Sequence, residues 1–168
     1  MLFRSHIKKT TNNVACDMKA FIFTLFASLV SVASFADEPA KSPLELWKEG
    51  PMIVFEATDV DLDAFLWQAR PIVIFGNTSE DIRVTTQLDN LLTQAEEIID
   101  RDIVLILDTD PSAQTDIRTE LRPRDFHWVL IGKDGDVKLR KPRPWAFREI
   151  SRVIDKMPLR KQELETRE

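Results

Sequence analysis

The chain has 168 residues, a formal net charge of −5, one cysteine and four glycines. Its length suits one ordinary domain, its acidic balance disfavours bulk nucleic-acid binding, and a lone cysteine excludes a disulfide framework. The glycines, at 50, 76, 132 and 135, fit no phosphate-cradling or dinucleotide loop.

Ala20 to Ala36 reads AFIFTLFASLVSVASFA, an apolar run that follows Lys19 and ends in Ser34-Phe35-Ala36. Small residues at the two positions a signal peptidase inspects make this a secretory signal, with cleavage expected after Ala36 and a periplasmic or secreted product. Met18 is the natural start, and residues 1–17 are an upstream start artefact or an extended n-region. The apolar span is 17 residues, short of the roughly 20 that cross a bilayer, so membrane attachment is expected only if the signal stays uncleaved. Cys16 precedes the run, the wrong side for lipid anchoring. Removing Arg4, Lys8, Lys9, Lys19 and Asp17 from the 23 basic and 28 acidic residues leaves 19 and 27, net −8, on a 132-residue cysteine-free chain.

Residues 37–43 read as a flexible lead-in with two prolines, 44–158 as the folded domain and 159–168 as a charged, solvated tail. Leu44, Leu46 and Trp47 begin a docking segment. Met52 to Glu56 is a short strand. Leu62, Phe65, Leu66 and Ala69 share one face of a helix that Asp61 caps and Pro71 stops. Ile72-Val73-Ile74-Phe75 is a β-branched run of the kind buried on both faces of a sheet. A long helix follows, with Val84, Leu88, Leu91, Leu92, Ala95, Ile98 and Ile99 on one side. Ser79 is placed to cap it, with Glu80 and Asp81 favouring its dipole. Ile103 to Leu107 is a second buried strand, so the three elements make a right-handed βαβ unit with parallel strands. Ala113 to Leu121 is a short helix. Strands over Phe126–Ile131 and Asp136–Arg140 flank Gly132-Lys133-Asp134-Gly135, a β-hairpin. Alternation puts Phe126, Trp128 and Leu130 on one face and His127, Val129 and Ile131 on the other. Pro144 opens a last helix that Pro158 ends.

The fold expected is α/β and thioredoxin-like: a central mixed sheet with helices on both faces, built as a βαβ unit, an antiparallel hairpin and a terminal helix. The wording Leu62-Asp63-Ala64-Phe65-Leu66-Trp67-Gln68-Ala69-Arg70-Pro71, then Asp102-Ile103-Val104, then Leu130 to Arg140 at the hairpin and Ile154 to Arg160 at the end resembles the domain of unknown function 4174 family. The resemblance runs from about Leu62 to Arg160. It implies export from bacteria, a thioredoxin- or peroxiredoxin-like fold, and similarity to domains of animal sushi-repeat-containing extracellular proteins. It implies no particular activity.

In proteins of that fold the strand-to-helix turn carries reactive cysteines. Here it reads Gly76-Asn77-Thr78-Ser79-Glu80-Asp81, with no thiolate available. The cis-Pro position before the hairpin reads Arg124-Asp125-Phe126. Asn77, Thr78 and Ser79 still offer donors at a helix start and at the carboxyl end of a parallel strand, where anions and ligands bind; the competing reading is that they only cap and turn. Arg124 and His127 complete this candidate ligand site, His127 as a pH-sensitive group or as an ordinary sheet residue. A Ser79/His127/Asp108 triad is possible on composition but lacks the nucleophile elbow. The calcium-loop-like Asp59-Val60-Asp61-Leu62-Asp63 fails at Ala64 and Arg70. Asp108 and Asp110 read as loop residues rather than cation ligands. Lys138, Arg140, Lys141, Arg143, Arg148 and Arg152 form a candidate basic docking patch, and Arg118, Arg122 and Arg124 a smaller one. No cofactor or metal is expected. The leading expectation is a non-catalytic module that binds a partner protein or a small anionic ligand; the alternative is an enzyme with non-thiol chemistry at the Asn77–Asp81 turn.

Overall fold

β-Branched and apolar segments pair into one sheet. The computed structural model describes residues 40–167, so the signal segment and the start of the lead-in lie outside the described residues. Five strands form one sheet: β1 (Val54–Glu56), β2 (Arg70–Phe75), β3 (Ile103–Asp108), β4 (His127–Ile131) and β5 (Val137–Lys141), in the order β1-β3-β2-β4-β5. β3 runs parallel to both β1 and β2, while β4 is antiparallel to β2 and to β5. Every residue of β2 is buried, which explains why its run is continuous rather than alternating.

Two apolar layers sandwich the sheet. On one face Val73, Phe75, Val104, Ile106, Val129 and Ile131 pack beneath α1 (Pro43–Glu49) and α4 (Asp116–Leu121). On the other, Ile72, Ile74, Ile103, Leu105, Trp128 and Leu130 pack beneath α2 (Ile82–Leu92), α3 (Ala95–Asp100) and α5 (Phe147–Asp155). The hairpin's expected alternation is therefore the one observed. Ser42 and Glu45 close a reciprocal capping box on α1. Trp47 from that helix is buried, edge-on to Phe65, with its indole N–H donating to the Ile103 carbonyl at 3.2 Å. Burial of this kind satisfies both the apolar ring and its polar tip.

Several elements differ from expectation, each for a local reason. The helix expected over Leu62–Ala69 is only a 3-10 turn, Leu62–Phe65, because Arg70 is already in β2 with its N–H on the Asp102 carbonyl at 2.7 Å. The connecting residue Trp67 is driven to φ 61°. Asp61 does cap the turn, accepting from the Asp63 N–H. The long helix after β2 is two: Thr93 turns its hydroxyl onto the Asp89 carbonyl at 2.9 Å, and the chain breaks at Gln94 before α3. Residues Pro111–Ala113 form a separate 3-10 turn, and α4 starts only after Thr115, its cap.

The last expected helix begins at Phe147, not Pro144. Gln87 takes both backbone groups of Trp145, donating to its carbonyl at 3.3 Å and accepting from its N–H at 2.8 Å, and Arg143 is held extended by the proline that follows it. Pro158 does not end the chain's order. It is the first residue of α6 (Pro158–Arg167), a use of proline that costs no hydrogen bond. The solvated tail expected over 159–168 is thus corrected. Arg160 on α6 is 1% exposed and pairs with Asp100, while Glu163 reaches Arg70 and Lys133 at the amino ends of β2 and β3.

Candidate functional site

Gly76 follows β2 with its N–H on the Asp108 carbonyl of β3 at 2.9 Å, so the turn after β2 is pinned to the carboxyl end of the parallel pair. A Cβ on Gly76 would sit 2.5 Å from Val84, closer than side chains approach, which fixes glycine there. Asn77, Thr78, Ser79 and Glu80 are exposed. Ser79 does not cap α2. That role belongs to Asp81, whose carboxylate accepts from the Arg83 N–H at 2.9 Å. The helix starts at Ile82, two residues later than a Ser79 cap would place it, because a carboxylate both caps and attracts the arginine two residues on.

Arg83 then ties the turn across the sheet. Its guanidinium donates to Asp81 at 2.6 Å and to Asp125, ahead of β4, at 2.7 Å. Asn77 Nδ2 donates to the same Asp125 at 3.1 Å. The Arg83 hydrogen bonds hold the carboxyls of Asp81 and Asp125 below the usual carboxylate range, and the two carboxylates in turn raise the guanidinium's value. Arg83 also lies over the Phe126 ring at 5.4 Å.

Beneath the turn sits a second network. Asp108, 3% exposed, is paired with Arg118 through one oxygen and accepts from the Thr115 hydroxyl at 2.8 Å through the other. Arg118 also donates to the Gly76 carbonyl at 3.1 Å and lies over Phe75 at 5.5 Å. Asp108, the last residue of β3 rather than a loop residue, directs its two oxygens to Arg118 and Thr115 and makes no hydrogen bond to His127. Asp110 serves its own loop through the Ser112 N–H and hydroxyl. The Ser79/His127/Asp108 triad is therefore not assembled: Ser79 and His127 share no hydrogen bond, and His127 Nδ1 is buried with no partner. His127 is half-buried, opposite Phe75 across the β2–β4 pair. Arg124 is exposed and makes no ion pair among the described residues; its neighbour Asp125 is the residue that meets the turn. The Asp108–Arg118–Thr115 and Arg83–Asp125 links escaped the sequence reading. Only the Thr115 cap spacing to Arg118 and the Asp81–Arg83 spacing hinted at them.

A family model described as Domain of unknown function (DUF4174) matches residues 61–163. The chain belongs to that family. The matched span takes in Glu163 of α6, in line with a helix that is part of the domain. Among solved structures, the chain resembles a reduced 2-Cys peroxiredoxin from Plasmodium vivax at a TM-score of 0.50 and 15% identity, over 61% of this chain and 85% of that one. A chloroplastic thioredoxin z matches at a TM-score of 0.47 and 21% identity, over 60% and 90%. The peroxiredoxin likeness concerns the fold alone, and the fold is thioredoxin-like: a mixed five-stranded sheet with helices on both faces.

In this DUF4174 domain the basic residues do not form one surface. Lys138 is held within the hairpin by Asp134 at 2.6 Å and Asp136 at 3.3 Å. Arg140, opposite Val129, donates to the Leu121 carbonyl at the end of α4. Lys141, opposite Trp128 on the other face, lies 4.3 Å from the Trp145 ring centre. Arg143, Arg148 and Arg152 are exposed and make no ion pair among the described residues. Strand alternation splits the patch. Of the smaller cluster, Arg118 is committed to Asp108 and Arg122 closes α4 at φ 48°. Among the described residues no group of three His, Cys, Asp or Glu converges as a metal set, and no helix is long and apolar enough to cross a membrane.

Proposed function

We propose that this is an exported, non-catalytic thioredoxin-fold module that presents the turn after β2 to a partner protein or small anionic ligand. The observation that carries the reading is the way Asp81, Arg83, Asp125 and Asn77 hydrogen-bond one another around that turn. Thiol enzymes need a thiolate there, and general-base chemistry needs a base within hydrogen-bond reach of the attacking group. Here Asp81, Arg83 and Asp125 are spent on each other. What is left outward is a rigid edge: the exposed Asn77, Thr78 and Ser79, and Ile82 at 75% exposure. The backbone N–H groups of Asn77, Thr78, Ser79 and Glu80 meet no protein acceptor among the described residues, which favours an acceptor-bearing partner. Arg124 and His127 flank that edge. The apolar Ala20–Ala36 segment supports delivery to the periplasm or outside, where partner capture would occur.

Peroxide-consumption and disulfide-reductase assays on the purified chain test the reading. No turnover above a heat-inactivated control is expected. Turnover that survives substitution of Cys16 and is lost with Ser79→Ala or His127→Ala would replace the binding reading with non-thiol catalysis at this turn.

A further inference from the structure

At the opposite end of β2 lies a cleft of about 380 Å³, lined by Trp67, Arg70, Lys133, Met157, Pro158 and Leu159, with Lys138 at its hairpin side. The volume falls at the lower end of small-ligand sites, roughly 300–1,000 Å³. Three features set it apart from a mere surface groove. Arg70 is 1% exposed, yet its Nε–H has no acceptor, although Nη1 and Nη2 are bonded to the Arg101 carbonyl and to Glu163. An orphaned buried donor is costly and is rare in folded proteins. Trp67 stands 65% exposed in the left-handed region at φ 61°, pinned by its N–H to the Lys133 carbonyl at 2.7 Å. A bulky side chain in that conformation is strained, and strain of this kind concentrates at functional positions. The cleft's chemistry is also lopsided. Its apolar wall is Trp67, Met157, Pro158 and Leu159; its charged lining is Arg70, Lys133, Lys138 and Asp134, and the three cations also meet Glu163, Asp102 and Asp136.

The donors exceed the acceptors available. Lys133 Nζ has three protons and two carboxylate neighbours, Asp102 at 2.8 Å and Glu163 at 2.9 Å. Lys138 likewise has three protons for Asp134 and Asp136. A ligand that fits must bring acceptors and an apolar body together. We propose that the cleft binds a small amphipathic carboxylate, its apolar body against Trp67 and Leu159 and its carboxylate toward Lys133 and Lys138, beside Arg70. The site lies at the other end of the sheet from the turn after β2, and stands whether or not that turn binds anything.

The test is an NMR titration of the full-length, 15N-labelled chain with 3-phenylpropionate and, in parallel, with uncharged 3-phenylpropionamide. Saturable shifts of the Trp67 indole and Arg70 Nε–H signals are expected for the acid, with a Kd of about 1 mM or tighter and the amide about tenfold weaker. Trp67→Ala should weaken the acid about tenfold while keeping the folded spectrum, since the side chain is exposed. Lys138→Gln should weaken the acid and leave the amide unchanged. Thr119→Ala, exposed on α4 and outside both sites, should change neither. The proposal is overturned by an acid that shows no saturation, by equal binding of acid and amide, or by a Trp67→Ala variant that binds as well as the parent chain.

Discussion

Arg70, the first residue of β2, and Glu163 on α6 are joined by a guanidinium nitrogen that donates to both carboxylate oxygens at 2.9 Å across 93 residues of sequence. The arginine is 1% exposed and the glutamate side chain 16%. Lys133 from the β4–β5 turn lies 2.9 Å from the same carboxylate. Glu163 therefore faces two cations at the amino end of the sheet, with Asp102 the second carboxylate, 2.8 Å from Lys133 and 4.0 Å from Arg70. Removing it, as in Glu163→Ala, leaves both without it, and a loss of about 3 kcal/mol is expected. Urea unfolding with an unchanged slope would measure it. Deleting 159–168 should cost at least as much, since Asp100 loses Arg160 and Arg167 as well.

Acid should loosen the same region. Burial raises the Glu163 carboxyl, but hydrogen bonds from Lys133 and Arg70 outweigh it and bring it below its ordinary 4.5. Asp100 is likewise lowered, burial being outweighed by Arg160. A carboxyl depressed in the folded state binds protons less readily there than in the unfolded chain. Its stabilising contribution is complete above the ordinary carboxylate range and is lost as pH falls through the folded value. Hydrogen exchange should show α6 amides losing protection below about pH 4, ahead of β2 and β3.

Asp108 and Arg118 are expected to act as a unit under the turn. Asp108→Ala strands a mostly buried guanidinium, at a cost of about 3 kcal/mol. Thr115→Val should cost only about 1 kcal/mol, the worth of one neutral hydrogen bond plus part of a helix cap. If the two substitutions share a network, the double variant loses less than the sum of the singles in thermal unfolding.

Arg83→Ala separates rigidity from stability. Its pairs with Asp81 and Asp125 lie at the surface, where such contacts contribute about 0–1 kcal/mol. The midpoint of unfolding should hardly move. Amide exchange at Asp81, whose N–H is held by the Thr78 carbonyl at 3.3 Å, should accelerate, because Arg83 is the main link from that turn to Asp125.

Trp67→Gly is expected to stabilise the chain by about 1 kcal/mol, because glycine adopts φ 61° without the steric penalty and the lost side chain is mostly exposed. Thermal unfolding at fixed pH reads it directly. A stabilised glycine variant that no longer binds the carboxylate would mean that Trp67 is retained for contact rather than for folding.

Sequence alone determined the strands, the layers and the family. Those follow from local rules: a β-branched run such as Ile72–Phe75 has one comfortable environment, and the alternation from Phe126 to Ile131 has one register. It also determined that the turn after β2 carries no thiol. Tertiary structure decided which polar groups are spent and which are left over. Ser79 loses the cap to Asp81 because Arg83 is drawn to Asp125 from a distant segment. Pro158 starts a helix instead of closing the domain because Asp100, Arg70 and Lys133 wait at the sheet's end to receive Arg160 and Glu163. The six-cation patch dissolves because neighbouring strand positions face opposite ways and one cation is drawn to a helix terminus. Long-range charge pairing has no sequence period, so only the folded chain shows which carboxylate meets which cation.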